Sequence, residues 1–456
     1  MNRDLTGTPG GPLKAIRVLD FTWVGAGALA TKLLADLGAD VIKVESRARP
    51  DNLRLAPPYR PGAENLEGSG YFASRNSSKR SFALDMRKPE ARGIALRLAS
   101  QCSVVTSNFR PGVMARWGLS YDQVRAVNPS VIYLTMPMQG EDGPHAAYTG
   151  FGSTISALAG LVELSGLPDH QGVGTGTHYP DHVPNPGHAL VALLSAILYR
   201  NRTGIGQQVE VSQLESTVNV VGPAILEASG GAPPHVRTGN RVQDAAPHGV
   251  FPTRGVDRWC AISCRTEQAW RELATALDRP EWLADPRFGS LTARKEHEDE
   301  LERLVSEATV QCGREELVEL LRRRGVAAAA VNSSKDILED PNLVARGYWQ
   351  RLEHPVIGEM TVARPPFVMH PVGAPVAAAA GTPVVVGAAG ASTDERMAKA
   401  PTFAALPAMP SRGPAGGELV LRRPPLLGEH TRDVARELLH LSEDEIGELE
   451  RAGVLA

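Results

Sequence analysis

At 456 residues the chain is long enough for two or three domains with well-buried cores. A net charge of −3 with no run of Lys or Arg argues against nucleic acid as a partner. The four cysteines are scattered, and Cys260 and Cys264 lack the second pair that a zinc site needs, so no metal is expected. No window approaches the roughly 18 uninterrupted apolar residues of a membrane span, and the polar N-terminal stretch has no signal-peptide pattern. A cytoplasmic protein with no membrane association is the expectation.

In chain order, Ala15 to Phe21 reads as a strand, Ala26 to Leu37 as a helix stopped by Gly38, and Val41 to Glu45 as the next strand. Strand, helix and strand within so short a span make a βαβ unit and hence a parallel sheet with a right-handed crossover. The first turn carries Gly25 and Gly27 but not the third glycine of a dinucleotide fingerprint, and Trp23 intrudes, so no nicotinamide or flavin site is expected. A long polar connection then ends in a basic turn, Asn76 to Ser81, where Lys79 and Arg80 offer a phosphate group paired cations. The alternative there is an ordinary solvated turn.

Strands are predicted at Phe82 to Asp85, Ser103 to Thr106 and Val131 to Met136, with a helix over Pro89 to Ala99. The turn Asn108 to Gly112 leads into a short helix carrying Arg116. This alternation implies an open α/β sheet. The stretch Gly174 to Ala189 is crowded with proline and glycine, so Asp181 is expected on a loop feeding a helix whose N-cap is Asn185. A helix start favours negative charge nearby. Read by itself, Asp181 is equally a loop cap; His178, His182 and His188 lack the ordered spacing of a metal site.

A strand at Gln208 to Val211 follows, and Gly, Pro and polar residues between Ser229 and Val250 suggest a domain boundary. The second domain has hairpin character around Thr253 to Asp257, three amphipathic helices between Thr266 and Arg324, and a strand at Ala327 to Val331. Pro371 to Gly417 is biased to Ala, Gly, Pro and Val, which reads as a linker or surface wrap.

Six segments, in this order, resemble the class III coenzyme A transferases, the group of formyl-CoA transferase, carnitine CoA-transferase and α-methylacyl-CoA racemase. They are Asp20 to Thr22, Val41 to Glu45, Asn76 to Asp85, Asn108 to Gly112 with Arg116, Arg202 to Gln207, and Pro425 to Thr431. The resemblance implies a Rossmann-like large domain with an open parallel sheet built from both chain ends, a smaller α/β domain, and a homodimer of interlocked subunits. The corresponding division is 1–228 for the first part of the large domain, 229–370 for the small domain, 371–420 for the biased segment, and 421–456 for the return to the large domain.

It further implies that Asp181 is the nucleophile of a transferase that moves CoA from an acyl-CoA to a small carboxylic acid. CoA and acyl-CoA would be substrates, with no permanently bound cofactor. Lys79, Arg80, Asn108, Phe109 and Arg116 match positions that meet CoA. Ser46 replaces a family arginine, with Arg47 its nearest substitute, and Gly25 stands where formyl-CoA transferase has a glutamine. Tyr179, His182 and His248 are candidate substrate contacts, and Arg110 and Arg241 candidate carboxylate partners. Two alternatives accompany this reading. A racemase of the same superfamily needs a second acid/base, and its Gly-His-Asp segment corresponds here to Gly150-Phe151-Gly152. A catalytically silent CoA-binding subunit of a heteromeric transferase would not need Asp181.

Overall fold

The structure is a computed structural model that describes residues 11–233, 236–369 and 421–456; the biased segment expected as a linker over 371–420 lies outside them. Six strands, β1 (Arg17–Phe21), β2 (Asp40–Glu45), β3 (Arg80–Ala83), β4 (Val104–Ser107), β5 (Ile132–Thr135) and β6 (Gln207–Glu210), form one sheet. Its order is β3-β2-β1-β4-β5-β6 and every pairing is parallel, with Val18 opposite Val41 and Leu19 opposite Val105. Three further strands, β7 (His248–Pro252), β8 (Trp259–Ser263) and β9 (Ala327–Ala330), make an antiparallel sheet, and β10 (Trp349–His354) pairs with β11 (Gly358–Ala363) as a hairpin.

The principal helices are α1 (Ala26–Asp36), α2 (Gly70–Asn76), α3 (Pro89–Ser100), α4 (Gly152–Leu158), α5 (Tyr179–His182), α6 (Pro184–Thr203), α7 (Glu267–Ala276), α8 (Leu291–Glu296), α9 (Glu298–Thr309), α10 (Arg314–Arg323), α11 (Thr431–Leu439) and α12 (Glu443–Arg451). The chain divides into two compact units, one of residues 1–136, 186–210 and 344–456, the other of 137–185 and 211–343. Among the described residues it passes between them four times, whereas composition suggested one boundary near Ser229. Two of these passages, at 185/186 and 343/344, fall inside helices Pro184–Thr203 and Pro341–Ala345, where composition does not mark a boundary.

In the first unit, one face of the parallel sheet buries Leu19, Phe21, Ile42, Val44, Phe82, Val105 and Tyr133 against Ile94 and Leu98 of α3, Val434 and Leu439 of α11 and Ile446 of α12. Each fully buried side chain of this kind contributes about 1.5–3 kcal/mol. The C-terminal helices are pinned at the strand ends, where Thr431 Oγ1 accepts from Ala83 N at 2.8 Å and Val454 O accepts from Asp85 N at 2.9 Å. In the second unit, Phe251, Cys260 and Ile262 on the inner face of β7-β8-β9 pack on Trp270, Leu273, Leu301, Val305, Leu317 and Leu321 of α7, α9 and α10.

Candidate active site

The strand order reverses at β1: the chain steps from β1 to β2 and β3 on one side, then to β4, β5 and β6 on the other. Open parallel sheets bind ligands at the carboxyl ends of the strands flanking such a reversal. The turns after β1 and β4 occupy that place, and Asn108 ties them together. Its Oδ1 accepts from Trp23 N at 2.9 Å and its Nδ2 donates to Trp23 O at 2.6 Å. Phe109 packs edge-on between Trp23 (5.1 Å) and Trp117 (5.3 Å). Gly27 lies beneath: a Cβ there would stand 2.7 Å from Thr22 Cβ and 3.1 Å from Asn108 Cγ, so only glycine permits this approach.

Next to Trp23, Val24 has φ of 61°, a left-handed conformation that costs a β-branched residue on the order of 1–3 kcal/mol. Buried polar groups hold it. Asp51 Oδ1 accepts from Val24 N at 3.0 Å, and Lys43, itself 2.8 Å from Asp51 Oδ2, donates to Thr22 O at 2.8 Å. Glu45 at the end of β2 is held by Arg54 at 2.8 and 2.9 Å, and burial opposing its charge is outweighed by Arg54, which keeps the carboxyl below its ordinary value. With its oxygens committed to Arg54, Glu45 is not placed as a ribose acceptor.

Lys79 and Arg80 do not form the solvent-facing basic turn that the sequence suggested; both are buried. Lys79 Nζ donates to Asp20 Oδ2 and Ala28 O at 3.0 Å, Thr31 Oγ1 at 2.7 Å and Asn76 Oδ1 at 3.0 Å. Burial pushes its ammonium down to about 8 although Asp20 favours the charge. Asp20 stays below its ordinary value, since Lys79 and Lys43 outweigh the burial that opposes its charge. Arg80 forks onto Asp40 at 2.9 and 2.7 Å and reaches Glu437 of α11 at 2.9 Å. Arg80 opens β3, which is buried throughout, and Lys79 just before it is buried as well, so both cations are neutralised inside the unit.

Arg47 after β2 and Arg110 and Arg116 after β4 are exposed, and none of their side chains makes an ion pair among the described residues. In the second unit, Asp181 stands on α5, a single helical turn with Pro180 in its first positions, rather than on a loop. Proline's fixed φ suits a first turn, which is why a proline-rich stretch still closes one. Asp181 is 7% exposed. Its carboxylate lies over Gly152, the first residue of α4, where a Cβ would meet Asp181 Oδ2 at 2.5 Å. The sequence offered Gly150-Phe151-Gly152 only as the place of a missing histidine; its contact with Asp181 needed the fold.

Around this turn Tyr179 and His182 are half-buried, and His182 Nδ1 lies 3.3 Å from Thr177 Oγ1. Asn185 lies inside α6, which begins at Pro184, and its Oδ1 accepts from Thr217 Oγ1 at 3.4 Å. His248 lines a cavity of about 680 Å³ on the outer face of β7-β8-β9 with Asn240, Ser263, Arg322 and a floor that includes Ala261, Ala327 and Ala329. Its Nδ1 faces Asn240 O. Arg241 is not available to a substrate carboxylate, being held by Glu302 at 2.6 Å and Asp299 at 2.5 Å. No helix among the described residues is long and apolar enough to cross a membrane.

Residues 13–387 match the family model of CoA-transferase family III. The probable CoA-transferase Rv1866 of Mycobacterium tuberculosis is 34% identical over 77% of this chain, a match that spans 44% of that protein. Succinyl-CoA–D-citramalate CoA-transferase of Chloroflexus aurantiacus is 32% identical over 77% of this chain and 86% of its own length. The human succinyl-CoA:glutarate CoA-transferase is 26% identical over 97% and 90%. Among solved structures, a CaiB/BaiF family protein from Brucella suis superposes with a TM-score of 0.77 at 27% identity, covering 94% of this chain and 100% of the other. A match over this much of the chain, on a parallel sheet with the same architecture, means that the protein belongs to CoA-transferase family III.

Proposed function

We propose that the protein moves coenzyme A from an acyl-CoA to a small carboxylic acid, with Asp181 as the covalent nucleophile. One observation carries this reading: Asp181 is a buried carboxylate on a proline-started turn, laid against a residue with no side chain. An Asp181 oxygen attacks the thioester carbonyl, the C–S bond breaks, and CoA leaves as thiolate. The thiolate attacks the aspartyl carbonyl of the mixed anhydride, expelling the donor acid and leaving an aspartyl-CoA thioester. The acceptor carboxylate displaces the thiolate from this thioester, and the thiolate then takes the acceptor's acyl carbon, which frees Asp181. No proton is gained or lost overall.

In the first unit, Asn108 and Phe109 are the proposed walls of the CoA site, and Arg47 and Arg116 its phosphate contacts. Lys79 and Arg80 serve it from beneath by fixing β1, β2 and β3. Tyr179, His182 and His248 are the proposed acid-side contacts. The relatives named above for D-citramalate and glutarate use succinyl-CoA, which makes succinyl-CoA the proposed donor and a dicarboxylic acid the proposed acceptor. A racemase would need a second acid/base on the opposite face of the α-carbon; the segment that supplies its histidine in that branch reads Gly150-Phe151-Gly152 here. Two copies of the chain are proposed to interlock, and the exposed stripe Val191, Leu194 and Leu198 on α6 is apolar surface of the kind a second copy covers.

Incubation with succinyl-CoA and hydroxylamine tests the reading. The expected result is loss of activity with a hydroxamate on the Asp181 peptide; full turnover with that peptide unmodified overturns it.

A further inference from the structure

The geometry points to Gly152 as a positioning residue for Asp181: the side chain absent at position 152 is what leaves the carboxylate its place. The inference rests on Asp181 being the nucleophile. A Cβ built on Gly152 would lie 2.5 Å from Asp181 Oδ2, 2.9 Å from Asp181 Cγ and 3.0 Å from His178 Cβ. The backbone does not ask for glycine. Gly152 is not among the residues with positive φ, and it opens a helix in which alanine is the better former. At Gly68, Gly172 and Gly206, by contrast, the crowding atoms are the backbone carbonyls of Ala63, Val162 and Val131. There glycine serves chain packing; at 152 the excluded volume belongs to the reacting group.

The helix is the less yielding partner. Ile155 N donates to Phe151 O at 3.0 Å and Ser156 Oγ donates to Gly152 O at 2.8 Å, which fixes the first turn of α4. The crowding atoms on the other side are the end of the Asp181 side chain, so an added methyl displaces the carboxylate, and that moves the attacking oxygen. Displacement of a reacting atom by about 1 Å costs on the order of 10²-fold in rate.

Gly152→Ala is expected to lower kcat by about 10²-fold with the KM for succinyl-CoA within about twofold of wild type. Hydroxamate formation on Asp181 should fall in step, and Ser153→Ala, one residue on and exposed, should leave kcat unchanged. Thermal unfolding supplies a readout that does not depend on activity. Gly152→Ala should lower Tm more when Asp181 is present than when Asp181 is replaced by Ala, because Oδ2 and Cγ are then gone and His178 Cβ at 3.0 Å is the contact left of the three. If Gly152→Ala alone does not fold, recovery of folding in the Asp181→Ala background counts for the proposal and continued misfolding overturns it. A kcat near wild type, or an equal Tm change in both backgrounds, also overturns it. Absence of a hydroxamate in the wild-type protein defeats instead the assignment of Asp181, and the Tm comparison still decides the steric point.

Discussion

At the scale of single residues, the chain separates charges that hold it together from charges left over. Arg54, Arg80 and Lys79 are each enclosed by acceptors, whereas Arg47, Arg110 and Arg116 reach solvent after β2 and β4. Replacing Arg116 with Ala should weaken CoA binding by roughly tenfold, the worth of one charge-assisted contact, with kcat little changed. Titration of CoA at two salt concentrations checks it, since a phosphate contact makes the loss shrink as salt rises. Asp181→Asn keeps the shape but not the nucleophile, and transfer should drop by on the order of 10⁴-fold or more while CoA still binds. Steady-state kinetics with a calorimetric titration separates the two effects.

Among the elements, the turn between β1 and α1 is under tension, with Val24 in a strained conformation and Asn108 and Asp51 holding it on either side. Asn108→Ala removes both bonds to Trp23 and should cost about 1–3 kcal/mol of stability, read as a lower Tm, and should raise the Kd for CoA. Lys79 makes a pH-dependent contribution of known sign. Its value is 10.5 in the unfolded chain and about 8 when folded. Below pH 8 both states hold the proton and the burial cost is complete; between 8 and 10.5 the unfolded chain binds more protons, so this group raises stability as pH rises. Lys79→Met abolishes that slope, and by leaving Asp20 buried without its cation it should cost about 3–5 kcal/mol at neutral pH. Melting curves of both proteins from pH 7 upward test the two statements together.

For the molecule as a whole, the parallel sheet is braced by carboxylates that must stay ionised. Asp20 and Glu45 lie below their ordinary values of 3.8 and 4.5, so their stabilising contribution is present above those values and is lost as pH falls beneath them and through the lower folded values. Thermal unfolding should therefore be flat in pH near neutrality and fall steeply in that acid range, and Glu45→Gln should be less stable at pH 7 with a shallower acid slope. The apolar stripe on α6 belongs to the same scale. Sedimentation should give twice the chain mass, and Leu194→Glu together with Leu198→Glu should lower it towards one.

The sequence alone determined the parallel α/β sheet, because strands and helices with strong periodicity alternate from Arg17 to Thr135 and each period depends only on near neighbours. It also carried the family, through the resemblance of six short segments. It did not reveal that Lys79 and Arg80 are internal. Their neighbours in the chain are serine and asparagine, which read as surface, while the acids that neutralise them, Asp20, Asp40 and Glu437, are distant in sequence. The four passages between units and the pairing of Gly152 with Asp181 were likewise settled by folding. Such contacts join residues with no sequence pattern in common, and a glycine's function lies in what occupies the space beside it.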